Sequence, residues 1–226
     1  MPIDAEMMVP RSTADVVYHR LYEEILNLEI LPGSKISEAD VGRRFGVSRQ
    51  PVRDAFKRLG NLDLLEIRPQ RATVVRRFSI DEIANARFVR LAVELEVISA
   101  ACQNWTAESD DVMQVNLAEQ QALLRAGETE AFHQLDYGFH RLICEMAGQP
   151  MAYETIDLSK RKVERLCVLS LTHGRGGEDV LKDHMAIASA LSKRSEKEAR
   201  ALTRKHLGRL DETIAEIHET HTEFFQ

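Results

Sequence analysis

No stretch of the 226-residue chain approaches the ~20 consecutive apolar residues that a bilayer span requires, so a membrane-spanning helix is not expected. Cysteine is scarce. Cys102, Cys144 and Cys167 are odd in number, widely spaced and without a CxxC pair, and they read as reduced packing residues on apolar helix faces rather than as a redox sensor. Internal repeats and low-complexity segments are lacking, as are a nucleophile motif, a general base and a phosphate loop in adequate context, which weighs against an enzyme. The first eleven residues lack the basic flank and apolar core of a secretory signal, and the expected location is the cytoplasm. What is present, 44% hydrophobic and 29% charged residues, is the composition of a soluble globular protein, with length for one large domain or two ordinary ones.

The net charge of −6 argues at first against a nucleic-acid partner, but the charge is unevenly spread. From Arg43 to Arg77 there are ten Lys and Arg against Asp54, Asp63 and Glu66, a surplus of seven, which leaves −13 for the remainder. A basic block inside an acidic chain suggests a polyanion-binding module joined to a domain with another task.

Ser12 with Asp15 has the form of a capping box, and Val17, Leu21, Ile25 and Leu28 follow at helical spacing, giving a first helix from about Thr13 to Leu28. Ser37 caps a short second helix carrying Val41 and Phe45; Gly46-Val47 breaks it, and Ser48 caps a third. That third helix puts Val52, Ala55, Phe56 and Leu59 on one side and Arg49, Gln50, Arg53 and Lys57 on the other. Two β-rich runs, 65–68 and 73–76, read as a two-stranded hairpin, a wing with Arg71 near its tip. A helix in the major groove needs contacting side chains one turn apart and an apolar opposite face. Arg49, Gln50, Arg53 and Lys57 meet that need, Arg suiting guanine and Gln adenine, and Ser48 at the helix N-terminus suits a phosphate. A solvated basic face is the plainer alternative.

The ordered series Leu31-Pro32-Gly33-Ser34-Lys35-Ile36-Ser37-Glu38, then Phe45-Gly46-Val47-Ser48-Arg49-Gln50-Pro51-Val52-Arg53-Asp54-Ala55, resembles the signature of the GntR superfamily of bacterial transcription regulators. The wing Ile67 to Val74 is similar too, with Ala72, and Asp63 before it, where the family usually has Gly. The resemblance implies base or phosphate contacts for Arg43, Arg49 and Arg53.

Beyond Ser79 strand signals vanish, and breaks at 105–106, 126–127, 148–150 and 174–177 separate six helices, about 80–104, 107–125, 128–147, 151–171, 178–193 and 196–220. Ser79 with Glu82 and Ser195 with Glu198 have the form of capping boxes, and the short connections suit an antiparallel bundle. Asp136 and His140 are one turn apart on one face; His184 and His206 sit in apolar patterns of the last two helices. Three imidazoles and a carboxylate suit zinc or nickel, with manganese or iron also possible. Spacing alone does not single them out, because His133, His173, His218 and His221 are also available, and histidines scattered over helices account for the pattern as well.

The runs Leu135-Asp136-Tyr137-Gly138-Phe139-His140, Asp183-His184-Met185-Ala186-Ile187-Ala188-Ser189-Ala190-Leu191 and Lys205-His206-Leu207 are similar to the FCD ligand-binding domain of FadR-type members of that superfamily. The resemblance implies a divalent metal ion held by Asp136, His140, His184 and His206, and a small organic-acid effector. Arg90, followed by Glu94, matches the first helix of that domain. It could clamp the effector carboxylate or simply pair with Glu94. The expectation is a mainly α chain, with a winged helix-turn-helix at 1–78 and an all-α antiparallel helical bundle at 79–226. Its function would be sequence-specific binding of double-stranded operator DNA as a homodimer, controlled by a small carboxylate metabolite at the metal site. A metal-dependent enzyme, or a metalloregulator for which the ion is itself the signal, is the alternative.

Overall fold

The computed structural model describes residues 12–68, 71–163, 165–166 and 176–226, which divide into two compact units, one ending at Arg77 and one beginning at Phe78. Phe78 itself, the expected last residue of the first domain, is held within the second unit. Its N–H donates to the Phe224 carbonyl (2.8 Å), its carbonyl accepts from the Gln226 N–H (3.0 Å), and its ring packs on Phe225.

In the first unit, α1 (Thr13–Leu26) opens on the capping box of Ser12 and Asp15 and buries Val17, Leu21 and Ile25. The helix ends two residues earlier than its periodicity suggests because Leu28 turns left-handed, φ 58°. The Ile30 N–H bonds back to the Glu24 carbonyl. Helices α2 (Glu38–Phe45) and α3 (Arg49–Asn61) form the helix-turn-helix, with Gly46 left-handed at the C-cap of α2. The α3 stripe Val52, Ala55, Phe56 and Leu59 is buried against α1, so the basic stripe faces outward. The wing is a three-stranded antiparallel sheet rather than a two-stranded hairpin. Its order is β1 (Lys35–Ile36), β3 (Thr73–Val75), β2 (Leu65–Glu66), with Lys35 opposite Val74 and Leu65 opposite Val75. A two-residue strand carries no periodicity, which is why β1 is invisible to pattern reading. Asp63 takes the left-handed backbone that the family gives to Gly (φ 57°), and its carboxylate accepts from Arg76 at 2.9 Å.

The second unit holds α4 (Ile80–Asn104), α5 (Ala107–Ala126), α6 (Thr129–Met146), α7 (Ala152–Arg161), α8 (Gly176–Ser192) and α9 (Glu196–Thr220), a helical bundle. Helix α7 ends at Arg161, ten residues short of the expected 151–171 helix, with Lys162 and Val163 in a turn; Cys167 and His173 lie outside the described residues. Helix α4 packs on α7, α9 and α6, while α5 packs on α6 and α8 around Ile98, Trp105, Phe132, Phe139 and Ile187. Cys102 and Cys144 are buried in this core, and burial pushes the Cys144 thiol up to about 12, where it is unreactive. Ser79 accepts from the Glu82 N–H as expected, but Ser195 makes no capping bond. Arg194 before it is left-handed, and the Ser195 N–H bonds back to the Ala190 carbonyl at 2.9 Å. Among the described residues no helix is long and apolar enough to cross a membrane.

Gly42 is the tightest point of the helix-turn-helix, since an added Cβ would stand 3.0 Å from the Val47 carbonyl oxygen, which is backbone and cannot swing aside. Gly42→Val should destabilise the first unit by about 1 to 3 kcal/mol. Hydrogen exchange should then quicken in α2 and α3 and stay unchanged in α4 to α9. Unaltered exchange in α2 and α3 would show that the turn accommodates a branched side chain.

Candidate functional site

The outward stripe of α3 is basic, but its members differ in how they are engaged. Arg49 and Lys57 are exposed and form no ion pair among the described residues. Arg53 is held by Glu38 of α2 through a two-pronged bond, Nε to Oε1 at 3.0 Å and Nη2 to Oε2 at 2.9 Å, and this bond keeps the Glu38 carboxyl below its usual value. Gln50 donates to Asp54 at 3.1 Å, and Arg43 reaches Asp40 at 3.1 Å while remaining 79% exposed. Ser48 stands at the N-cap of α3 with extended backbone, yet its hydroxyl makes no capping bond; the expected side-chain cap is absent and the hydroxyl is exposed. Arg71 is exposed in the wing, next to Pro69 and Gln70, which lie outside the described residues.

In the second unit, Asp136 and His140 of α6, His184 of α8 and His206 of α9 converge so that one ligand atom from each lies within 4.8 Å of the others. All three histidines are buried, and the Asp136 side chain is 13% exposed. His184 and His140 each present Nδ1 to a close partner outside the cluster, and His206 Nδ1 makes no hydrogen bond among the described residues. His184 Nδ1 is 2.9 Å from Gln120 Oε1, an acceptor only, so this nitrogen carries the proton. The amide is oriented in turn, since Gln120 Nε2 donates to Asn116 Oδ1 at 2.7 Å. His140 Nδ1 is 2.8 Å from Glu94 Oε2, and His206 Nδ1 faces Asp183 Oδ2 at 3.8 Å. Phe139 stacks on the His184 ring at 3.9 Å and fixes its plane. His184 Nε2 therefore points its lone pair into the cluster, 3.4 Å from Asp136 Oδ1, with no hydrogen bond of good geometry among the described residues. Outer partners that set the tautomer and leave Nε2 facing inward are what a histidine-based metal centre requires, so the donor set fits a divalent ion.

A cavity of about 720 Å³ adjoins the cluster and is lined by Asp136 and His206 together with Arg90, Lys160, Leu91 and Val180. Arg90 makes the expected pair with Glu94, Nε to Oε1 at 2.6 Å, and it also lines the cavity, with Nη2 3.2 Å from His140 Nε2. Lys160 of α7, which sequence reasoning did not single out, is buried and bonds Asp136 Oδ2. Gln120 and Asp183 were missed as well; Asp183 precedes His184 in the recognised run, and that adjacency was the only signal available. Of the other histidines, His133 lines the cavity without joining the cluster. His218 and His221 pack on Phe225 and Phe224.

Burial lowers His184 to about 3 and His133 to about 4, and it lowers His140 as well. Burial alone would raise Glu94 and Asp136, but the neighbouring cations and histidines outweigh it and hold both carboxyls low. A histidine kept neutral in the folded state binds fewer protons than the unfolded chain below the ordinary value of 6.5, so its stabilisation is present above 6.5 and is lost as pH falls. The carboxylates lose theirs only below their ordinary values of 4.5 and 3.8. Chelator-treated protein should therefore weaken toward urea between about pH 7 and about pH 5, with a slope approaching about 1.4 kcal/mol per pH unit for each such histidine. A flat profile over that interval would show that these imidazoles are not held neutral.

Both units resemble known proteins. The pattern described as bacterial regulatory proteins, gntR family, matches residues 13–75, and the FCD domain pattern matches 86–209. The HTH-type transcriptional repressor RspR of Escherichia coli K12 is 31% identical over 225 residues, spanning 100% of this chain and 99% of that one. A regulator encoded in an unstable DNA locus of Streptomyces ambofaciens is 29% identical, over 92% and 88% of the two chains. Among solved structures, E. coli McbR/YncC superposes with a TM-score of 0.68 at 18% identity, over 93% of this chain and 99% of its own. A GntR-type regulator from Rhodococcus sp. RHA1 reaches 0.69 at 18% identity, over 91% and 99%. The relatives are transcriptional regulators and not enzymes. A family pattern over more than half of the sequence, with a 31% identical relative along all of it, makes the chain a member of the GntR family of bacterial transcription regulators, in the group that carries an FCD domain.

Proposed function

We propose that this DNA-binding regulator responds to a small organic acid that docks beside a divalent ion held by Asp136, His140, His184 and His206. The observation that carries this reading is the convergence of the His184 Nε2 lone pair and the Asp136 carboxylate, the latter lining a cavity that Arg90 and Lys160 also line. Nitrogen-rich ligation by three imidazoles and one carboxylate favours zinc or nickel over manganese or iron. When bound, such an ion supplies positive charge to which an effector oxygen can coordinate. A cavity of this size beside the cluster favours an organic effector over the ion as sole signal. The cytoplasm is the compartment where such a protein would meet operator DNA.

On the DNA side, Arg43, Ser48, Arg49, Lys57 and Arg71 are exposed for contact with base edges or phosphates. Gln50 and Arg53 would exchange their partners Asp54 and Glu38 for DNA. Exposed pairs of this kind are worth roughly 0 to 1 kcal/mol, less than the roughly 1 to 3 kcal/mol of a two-bond base contact, so the exchange is favourable. One winged module offers few contacts, and a symmetric homodimer on a palindromic operator would double them.

Arg49→Ala should weaken operator binding by about 1 to 3 kcal/mol and narrow the gap between operator and scrambled DNA, at two chains per site. Undiminished discrimination would remove Arg49 from base recognition. His184→Ala should lower both metal retention and the response to organic acids, while operator binding persists because α3 lies in the other unit. Elemental analysis decides it, since full occupancy at unchanged affinity would leave His184 a packing residue.

A further inference from the structure

Lys160 is 2% exposed, on a helix whose neighbouring residues Asp157, Leu158 and Arg161 are much more open. Lysine is seldom buried without a partner, and here the partner is the Asp136 Oδ2 carboxylate oxygen. The ammonium also lies 3.4 Å from the centre of the Tyr137 ring. Across the cluster Arg90, which can only donate, places Nη2 against His140 Nε2. Two cations from outside the four-residue set are thus engaged with two of its four ligands, through the carboxylate and through an imidazole lone pair. Both cations also line the cavity.

We propose that Lys160 is an exchangeable counterion. It neutralises Asp136 while no ion is held there and turns into the cavity to receive the carboxylate of the effector once an ion takes its place. This rests on the reading of Asp136, His140, His184 and His206 as a metal centre and adds to it a specific anion-binding residue and an order of events. The reasoning is electrostatic. A divalent cation and an ammonium cannot share one buried carboxylate without strong mutual repulsion, because the low dielectric that holds Lys160 on Asp136 also strengthens the repulsion. Of the two, the lysine is the mobile partner, since its charge ends a flexible four-carbon stem. Once displaced it is a buried cation in need of an anion, and the cavity is the space it already borders. The ion and the carboxylate therefore favour each other's binding reciprocally, over and above any direct coordination between them. Arg90, already paired with Glu94 through Nε, keeps that partner and has its Nη2 released toward the same space.

The test uses the full chain, stripped of metal and titrated with cobalt(II), whose visible absorption reports the ligand field directly, with and without acetate or succinate. Lys160→Met keeps the bulk and removes the charge; Lys160→Gln retains a donor for Asp136 and decides the matter if the Met variant does not fold. Both substitutions should tighten cobalt binding, by about tenfold for Lys160→Met, because the competitor is gone. In the wild type the carboxylates should tighten cobalt binding by a similar factor, and in both variants that enhancement should shrink to what direct coordination of the ion alone supplies. Equal cobalt affinities in wild type and variants, or an enhancement undiminished by the loss of Lys160, would overturn the exchange while leaving the metal centre standing. Failure of the wild type to bind cobalt at all would overturn the metal centre, and the exchange with it.

Discussion

The Asp136 carboxylate sits among α6, α7, α8 and α9 where water can do little to solvate it, and in such surroundings a negative charge has to be matched by positive charge or by hydrogen bonds. Much of the second unit's polar interior follows from that requirement. Lys160 comes from α7 to meet one oxygen, and His184 from α8 approaches the other. His184 and His140 need partners of their own, supplied by Gln120 from α5 and Glu94 from α4, while Asp183 of α8 stands 3.8 Å from His206. Glu94 then needs Arg90, and Asp183 needs Arg209. The result is a chain of ion pairs and neutral polar groups running through the bundle, in which removing one charged member leaves its partner buried and uncompensated.

Such a network is costly compared with an apolar core of the same volume, and the adjoining bundle interior shows that this chain packs apolar side chains readily: Ile98, Trp105, Met113, Phe139 and Ile187 fill it with little exposed surface. Keeping the polar centre where it borders a cavity gives the bundle groups that can change partners. Packing residues cannot do that.

The first unit solves a different problem. Its basic stripe must stay in water and its apolar stripe must not, and the 3.6-residue period of α3 separates the two without further machinery. Glu38 and Asp40 hold Arg53 and Arg43, and Asp54 holds Gln50, in exposed pairs that are individually weak. These pairs order the surface without committing it, since each can be exchanged when a stronger phosphate or base partner arrives.

Wherever a feature depends on neighbours along the chain, the amino-acid sequence alone makes it legible. The faces of α3, the capping box of Ser12 and Asp15, the left-handed turn at Asp63 and the limits of α4 and α9 all follow from local spacing or local backbone preference. Resemblance to a family singles out Asp136 and three of the eight histidines as candidate ligands, a choice that spacing alone leaves open. Tertiary structure decides the rest, because those features join residues far apart in the chain. Gln120 meets His184 across 64 residues, Lys160 meets Asp136 across 24, and β1 exists only because β3 runs beside it. Ser48 and Ser195 show that local reading has its own limit: both have the composition of a cap, and neither makes the capping bond. A residue's periodicity tells which way it faces; which charge it meets there depends on how the helices pack, and no local pattern records that.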